Sequence, residues 1–471
     1  MILKFLEYLA IKKNKLFDPL YYLIQYVDIR RADVDPLIHF INLGWKEGRN
    51  PSANFDTKKY LAEYPELLEK NINPLIHYIE KEKQKTLAQR PTIMESVQFF
   101  FKGLFFFVKL RGIVFFAGYP YPEREKDGYF QRIRAVDTLF HDQWRVYIDL
   151  VNLPGRVSWY DFPAPRTLVL RPQIGGYKKI ARLCTVLCIL RCRIIYFHSI
   201  LSAGGVVRSK YFWRFPFLKR ILDMHGVVPE EFNYQGELEN AQYFDDVEKR
   251  IVSSVNYLIV VTNSMRVHVE NKYPNLFKGQ YITLPIFQKL DIERTDKPNH
   301  AGKPVIVYAG GLQKWQQVPK MIDAIEKTSD RYLYRFFCSE PEKMISLLPE
   351  NLKNSPAIIV ESRTPSEMYK EYRPCHYGFI LREDILVNQV ACPTKLIEYL
   401  ANGIVPIIDS ENIGDFANMG MQYILLSDLS NHRLPAESKR NEMANTNFEV
   451  YDKLLNLHKI GVEDLRKAIQ W

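Results

Sequence analysis

Two rhythms divide the chain. Over roughly its first 90 residues apolar positions recur at helical spacing, in two stretches that realign with each other. From about residue 110 onward, short apolar runs alternate with longer mixed segments. One series reads GIVFFAGY, RVYIDLV, TLVL, IIYFHSI, RILDMHG and YLIVVTN; a second reads VIVYAGG, YRFFCS, AIIVES, YGFILR, VPIIDS and YILL. Runs of four to eight apolar residues separated by helical stretches predict parallel β/α folding. The polar, Pro-bearing segment 285–303 reads as the connection between two such domains. The expected architecture is α/β: Rossmann-like domains over 91–290 and 291–471, facing a cleft, preceded by a small all-α module over 1–90.

The repeat in that module is specific. FDPLYYLIQYVDI realigns with FDTKKYLAEYPEL, and DPLIHFI with NPLIHYI, at a common offset of 38 that pairs Phe17 with Phe55, Tyr22 with Tyr60 and His39 with His77. Asp18 and Asp56 stand where helix N-caps belong, and Asp35-Pro36 and Asn73-Pro74 repeat the cap-plus-proline signature. Each unit is expected to form two short helices. The equivalence of His39 and His77 points to a repeated structural role rather than catalysis.

Composition narrows the class. The chain is 47% hydrophobic and 25% charged, as a globular protein is. Its six cysteines form no C-x-x-C pair, which argues against structural zinc and fits a reducing cytoplasm. Cys184, Cys188 and Cys192 fall on one helix face and read as a buried stripe of small residues. Lys4 and Glu7 interrupt the apolar start, so no signal peptide is expected. Lys102, Lys109 and Arg111 interrupt the apolar stretch 97–119, which reads as a packed linker helix, as an amphipathic helix before a first strand, or as an interfacial helix. The formal charge of +10 is concentrated: residues 156–221 hold thirteen Lys or Arg against Asp161 alone. That segment reads either as a solvated face or as one turned toward anionic lipid or a phosphate-bearing acceptor. No nucleic-acid motif accompanies the charge, so nucleic acid is not an expected partner.

In parallel α/β sheets ligands sit beyond the carboxyl ends of strands. Those positions carry His198, His225-Gly226, Leu312-Gln313-Lys314 and the stretch 383–395. The last is the most informative. Pro393-Thr394-Lys395 opens a helix whose first N–H groups can cradle an anion, with Lys395 adding a point charge. Glu398, three residues on, can accept two hydroxyls of a ribose, and Arg382 can clamp a second phosphate oxygen. The plain alternative is an exposed Lys395–Glu398 pair.

At these residues GFILREDILVNQVACPTKLIEYLANGIVPII resembles the donor-binding region of bacterial GT-B glycosyltransferases, the group that contains the family-four retaining enzymes. YAGGLQKWQQV is similar to the glycine turn that opens their C-terminal domain. DGYFQRIRAVD and LDMHGVVPEEF resemble loops of their N-terminal domain, and the 38-residue repeat is similar to modules attached to polysaccharide-assembly enzymes. The resemblance implies a GT-B fold and transfer of a hexosyl or deoxyhexosyl group from a nucleotide-sugar donor to a glycan or lipid-linked glycan. It implies a role in cell-surface polysaccharide (O-antigen or capsule-like) synthesis, with retention and without a metal or other cofactor; the cysteine usage and the basic segment lead to the cytoplasm as the expected place, with the inner face of the membrane as the option the charge leaves open. Carried over by residue, Glu398 binds the donor ribose; Lys395, Thr394, Pro393 and Arg382 hold the diphosphate with Lys314; Gly310 and Gly311 form the glycine turn; Gly128 and Arg132 approach the phosphates from the other domain; His225 lies near the transferred sugar. Val390 stands where the family often has a second Glu, so its sugar contact would pass to Glu383 or Asn388. That departure and the added repeat module motivate a second reading, a catalytically degenerate scaffold that binds glycan or protein; a third is another GT-B user of nucleotide-sugars, such as an epimerase or hydrolase.

Overall fold

The computed structural model describes residues 4, 7–8, 10–12, 16–32, 34–52, 55–88, 93–124, 127–150, 158–173, 178–207, 217–285, 302–312 and 316–469. Lys314, Trp315 and most of the 285–303 connection lie outside them. The chain forms two compact units, Met1–Leu104 and Phe105–Trp471.

The first unit is built of short helices, and the repeat is visible in its bonds. Asp18 accepts from Tyr21 N–H and Asp56 from Lys59 N–H, each at 3.0 Å. Asp35 caps Ile38 N–H at 2.9 Å and Asn73 caps Leu75 N–H at 2.9 Å. The Tyr22 hydroxyl meets Nδ1 of His39 at 3.0 Å, and Tyr60 meets His77 at the same distance. These histidines therefore fasten helices within each unit. Among the described residues each unit carries three helical stretches rather than two: Pro19–Gln25, Val27–Ala32 and Pro36–His39 continued by Phe40–Gly44 in the first, Thr57–Glu63, Glu66–Glu69 and Pro74–Ala88 in the second. Pro65 and the turn before Val27 break what reads as one continuous stripe.

The second unit holds two sheets. In the front lobe β1 (Gly112–Phe116), β2 (Trp144–Ile148), β3 (Tyr160–Asp161), β4 (Thr167–Leu170), β5 (Ile194–His198), β6 (Lys219–Met224), β7 (Tyr257–Val260) and β8 (Gln280–Thr283) are ordered 3-4-2-1-5-6-7-8. All neighbours are parallel except β3 against β4. In the rear lobe β9 (Val305–Ala309), β10 (Leu333–Phe337), β11 (Ile358–Glu361), β12 (Tyr377–Ile380), β13 (Val405–Ile408) and β14 (Ile424–Leu425) are ordered 11-10-9-12-13-14, all parallel. That is a doubly wound order, which reverses direction between β9 and β12.

The central strands are buried along their length, as continuous apolar runs require when both faces are covered. The stretch around residue 100 forms one helix, Ile93–Lys109, directly before β1. It buries Phe106 edge-on against Trp144 while Phe105 and Val108 stay exposed. Among the described residues no helix is long and apolar enough to cross a membrane. The C-terminal helix, Glu437–Ile469, joins the lobes: Met443, Val450 and Leu454 pack in the rear cores, and Leu465, Ala468 and Ile469 fill the front core. The last turns of the 291–471 span thus sit in the core of the front lobe.

Candidate functional site

The loops after β6, β7, β12 and β13 meet, so the carboxyl ends of the two sheets face each other. The Tyr234 hydroxyl donates to Glu383 at 2.7 Å, and Gln317 donates to its other oxygen at 2.6 Å. The Thr262 hydroxyl donates to the Val390 carbonyl at 2.7 Å. Asp415 accepts from the N–H groups of Asn263 and Ser264 at 2.5 and 2.9 Å, capping the front-lobe helix Asn263–Lys272 from the rear lobe. Gly414 makes that approach feasible: its φ is +49°, and a Cβ there would stand 2.1 Å from the Ala391 carbonyl oxygen.

The rear-lobe site is built at the reversal between β9 and β12. Gly310 follows β9, Arg382 follows β12, and Lys395 lies in the first turn of the helix Thr394–Ala401. The Lys395 ammonium sits 4.0 Å from the centroid of the Tyr308 ring and donates to Gln316 Oε1 at 3.1 Å. It is half-buried and forms no ion pair with a carboxylate among the described residues; burial, then the charge of Arg382, hold it well below the usual lysine range, with Glu398 opposing. Burial likewise lowers Arg382, whose guanidinium makes no hydrogen bond or ion pair among the described residues. Two half-desolvated cations whose charges oppose each other more strongly than Glu398 offsets them make a place for an anion.

Gly310 closes the floor. A Cβ there would lie 2.6 Å from Lys395 Nζ. Gly310→Ala is therefore expected to push the ammonium off the Tyr308 ring. The fold is kept and the affinity for a nucleoside diphosphate falls about tenfold, the scale of one charge-assisted hydrogen bond. Titration calorimetry beside a melting curve checks this, and unchanged affinity would remove Gly310 from the site.

The other expected residues divide. Glu398 accepts from the Tyr372 hydroxyl at 2.8 Å and makes no ion pair with Lys395; burial raises its carboxyl. Pro393 is the N-cap residue of the helix, with Thr394 exposed at its first position. Gly311 accepts from the Tyr308 hydroxyl through its carbonyl at 2.5 Å. Asn388 is buried and spends its amide on the Glu383 carbonyl at 2.9 Å. Both oxygens of Glu383 are engaged by Tyr234 and Gln317, so its carboxylate ties the lobes together.

In the front lobe, His225 stacks on Tyr129 with ring centroids 5.3 Å apart. Burial pushes its pKa down to about 3 against the pull of Asp223, and its Nε2 is buried with no hydrogen-bond partner among the described residues. It is a neutral imidazole, able to exchange a hydrogen bond with a ligand rather than a charge. Gly128 opens the helix Gly128–Leu139 behind the Asp127 cap, with open space where a Cβ would point.

Arg132 departs from expectation. It is not at a phosphate-facing surface but buried, forked onto Asp223 at 2.9 and 2.5 Å, with its remaining nitrogen donating to the Leu284 carbonyl at 3.1 Å. The reason is helix geometry: Tyr129, Arg132, Ile133 and Val136 share the inward face of their helix, and Asp223 supplies the counter-charge. His198, at the end of β5, is fully buried 3.5 Å from Asp223. His198, Asp223 and His225 lie within ligand reach of one another, but Arg132 already neutralises the one carboxylate of the trio. Cys188 and Cys192 are buried and their thiols raised, the latter to about 12, so that helix face is packing. Sequence reading missed Tyr308, Gln316, Tyr372 and Asp415. Tyr308 was hidden inside an apolar run, and the others carry no local pattern.

No protein-family model matches this chain, and no curated protein matches it significantly. Solved structures do. Sucrose-phosphate synthase from Thermosynechococcus elongatus aligns over 76% of this chain and 98% of its own, with 12% identity and a TM-score of 0.53. HepE from Anabaena, solved in complex with UDP and glucose, aligns over 76% of this chain and 100% of its own, at 12% identity and a TM-score of 0.54. An E. coli trehalose-6-phosphate structure bound with UDP-2-fluoro glucose aligns over 77% and 99%, at 11% identity and a TM-score of 0.50. The two facing parallel sheets, the doubly wound rear lobe and the C-terminal helix crossing between lobes are thus a GT-B fold.

Proposed function

We propose that this protein is a glycosyltransferase that moves a sugar from a nucleotide-sugar donor to a glycan acceptor. The observation that carries the reading is the pair of half-buried cations, Arg382 and Lys395, which form no ion pair among the described residues, at the strand reversal of a GT-B rear lobe. Cleaving a sugar–phosphate bond leaves a nucleoside diphosphate with growing negative charge beside an oxocarbenium-like sugar. Fixed cations and helix N–H groups stabilise that leaving group without reorganising, which is commonly the largest catalytic contribution. In this reading Lys395, Arg382 and the N–H groups that open the Thr394 helix receive the diphosphate. Gly310 and Gly311 let it approach, Lys314 assists, and Glu398 takes the ribose. His225, neutral and with a free Nε2, bonds a hydroxyl of the transferred sugar. A hexosyl or deoxyhexosyl donor, retention, independence of metal and a place in cell-surface polysaccharide assembly extend the proposal; the resemblance of the 378–408 stretch and of the repeat supports them. The neighbouring structures that hold UDP or UDP-glucose support a uridine donor first.

A second reading, a non-catalytic GT-B scaffold, draws on Val390, which is buried where the family often has a carboxylate, and on the engagement of Glu383 and Asn388 elsewhere. One experiment separates them. Nucleoside diphosphates and nucleotide-sugars are titrated calorimetrically into the full chain near pH 9 in buffers of different ionisation enthalpy, and diphosphate release is then followed with and without acceptor glycan. Binding is expected to take up protons, because an arriving diphosphate restores the charge that burial and Arg382 suppress on Lys395. Acceptor-dependent release establishes transfer. Binding without release favours the scaffold, release without acceptor a hydrolase or epimerase, and no binding by any nucleotide overturns the site.

A further inference from the structure

The helix Lys178–Cys192 has two apolar sides. Ala181, Cys188, Ile189 and Cys192 are buried, and the helix packs on β1 and β5. On its other side Ile180, Leu183, Val186, Leu187 and Leu190 are 36–59% exposed. Single exposed apolar residues are ordinary, but five on one helix at i, i+3, i+6, i+7 and i+10 make a stripe. The last turn of the helix Ile93–Lys109 lies beside its end: Arg191 donates to the Val108 carbonyl at 3.1 Å, and Phe105 and Val108 are 63% and 58% exposed. Around this surface Lys109, Lys179, Arg182, Arg191 and Arg193 are exposed, and the helix carries no acidic residue. Part of the basic segment's charge is interior, in Arg171 and Arg220, but on this helix it faces out.

We infer that this face docks on an anionic lipid bilayer, the Leu183–Leu187 stripe entering the headgroup boundary while the flanking Lys and Arg reach lipid phosphates. Charge selects the occupant. A second copy would bring like-charged rims together, which opposes association. An apolar stripe rimmed by long basic side chains is the pattern of an in-plane interfacial helix, whose stems lie along the apolar surface while their heads stay at the phosphates. The inference rests on this surface alone and holds whether or not the cleft transfers sugar.

The test floats the full chain with phosphatidylcholine vesicles containing or lacking phosphatidylglycerol, at low and high salt. Binding is expected to be at least about tenfold tighter with the anionic lipid and to weaken with salt. Leu183→Ser/Leu187→Ser should abolish flotation and Lys179→Glu/Arg182→Glu should remove the preference for anionic lipid. Both should keep the wild-type melting temperature and nucleotide affinity. No flotation, equal flotation with both lipids, or serine variants that float like wild type would overturn it. So would sedimentation showing a wild-type dimer that the serine substitutions dissociate.

Discussion

Lys395→Met is expected to remove turnover while leaving the protein at least as stable as wild type. The wild-type ammonium is half-buried, faces the Tyr308 ring and Gln316, and feels the charge of Arg382 more strongly than that of Glu398. Methionine keeps an unbranched apolar stem against the ring and discards the charge. If Lys395 stabilises a departing diphosphate, its loss costs roughly 3–4 kcal/mol of transition-state stabilisation, a fall of about a hundred- to a thousandfold in kcat. Arg382→Gln should act in the same direction. The stability side follows from linkage. The folded pKa of Lys395 lies below its unfolded value, so the unfolded chain binds more protons between the two, and wild-type stability rises with pH through that window. Methionine abolishes that slope and spares the cost of the half-desolvated charge at neutral pH. Product release and melting curves across neutral to alkaline pH check both halves. Near-normal turnover in both variants would sink the site assignment, and a large loss of melting temperature would make Lys395 structural.

Much of this arrangement was written in the apolar runs. VIVYA and YGFIL are buried on both faces, and so is VPII, so their sequences need no alternation and read plainly as central strands. Two front-lobe edge strands escaped. QYIT buries only Ile282, and β3 is two residues of half-exposed antiparallel pairing, so neither offers a run to detect. The site was legible where local chemistry announces itself, as in PTKLIE opening a helix just past a strand. It was illegible where the partner is distant in sequence. Nothing around Asp415 says that it caps Asn263 and Ser264. Nor does the i,i+3 spacing of Lys395 and Glu398 reveal that one turns to Tyr308 and the other to Tyr372. For Arg132 the signal was present: its spacing with Tyr129, Ile133 and Val136 places it on the buried face.

That burial makes Arg132→Met the most disruptive single change expected in the front lobe. Arg132 and Asp223 are 3% and 0% exposed, and the fork is completed by the Tyr196 hydroxyl donating to Asp223 at 2.8 Å. Burial alone would raise the Asp223 carboxyl. The charge of Arg132, then the nearby His198 ring and the bonds from Arg132, more than reverse this and hold it well below the ordinary carboxylate range. Removing the guanidinium strands a carboxylate in the core, beside a fully buried His198, at a cost of about 3–5 kcal/mol. The sign with pH is that of a depressed acid. The pair's contribution is present above the unfolded carboxyl value, about 4, and is lost as pH falls below it. The variant should therefore show a lower urea midpoint at neutral pH and a smaller further loss on acidification than wild type. Arg132→Met/Asp223→Leu should recover most of the stability, because replacing both members of a buried pair by apolar groups is often neutral. An Arg132→Met protein that unfolds at the wild-type midpoint yet binds nucleoside diphosphate weakly would instead return this arginine to the phosphates. It would also require the fork onto Asp223 to open when the donor arrives.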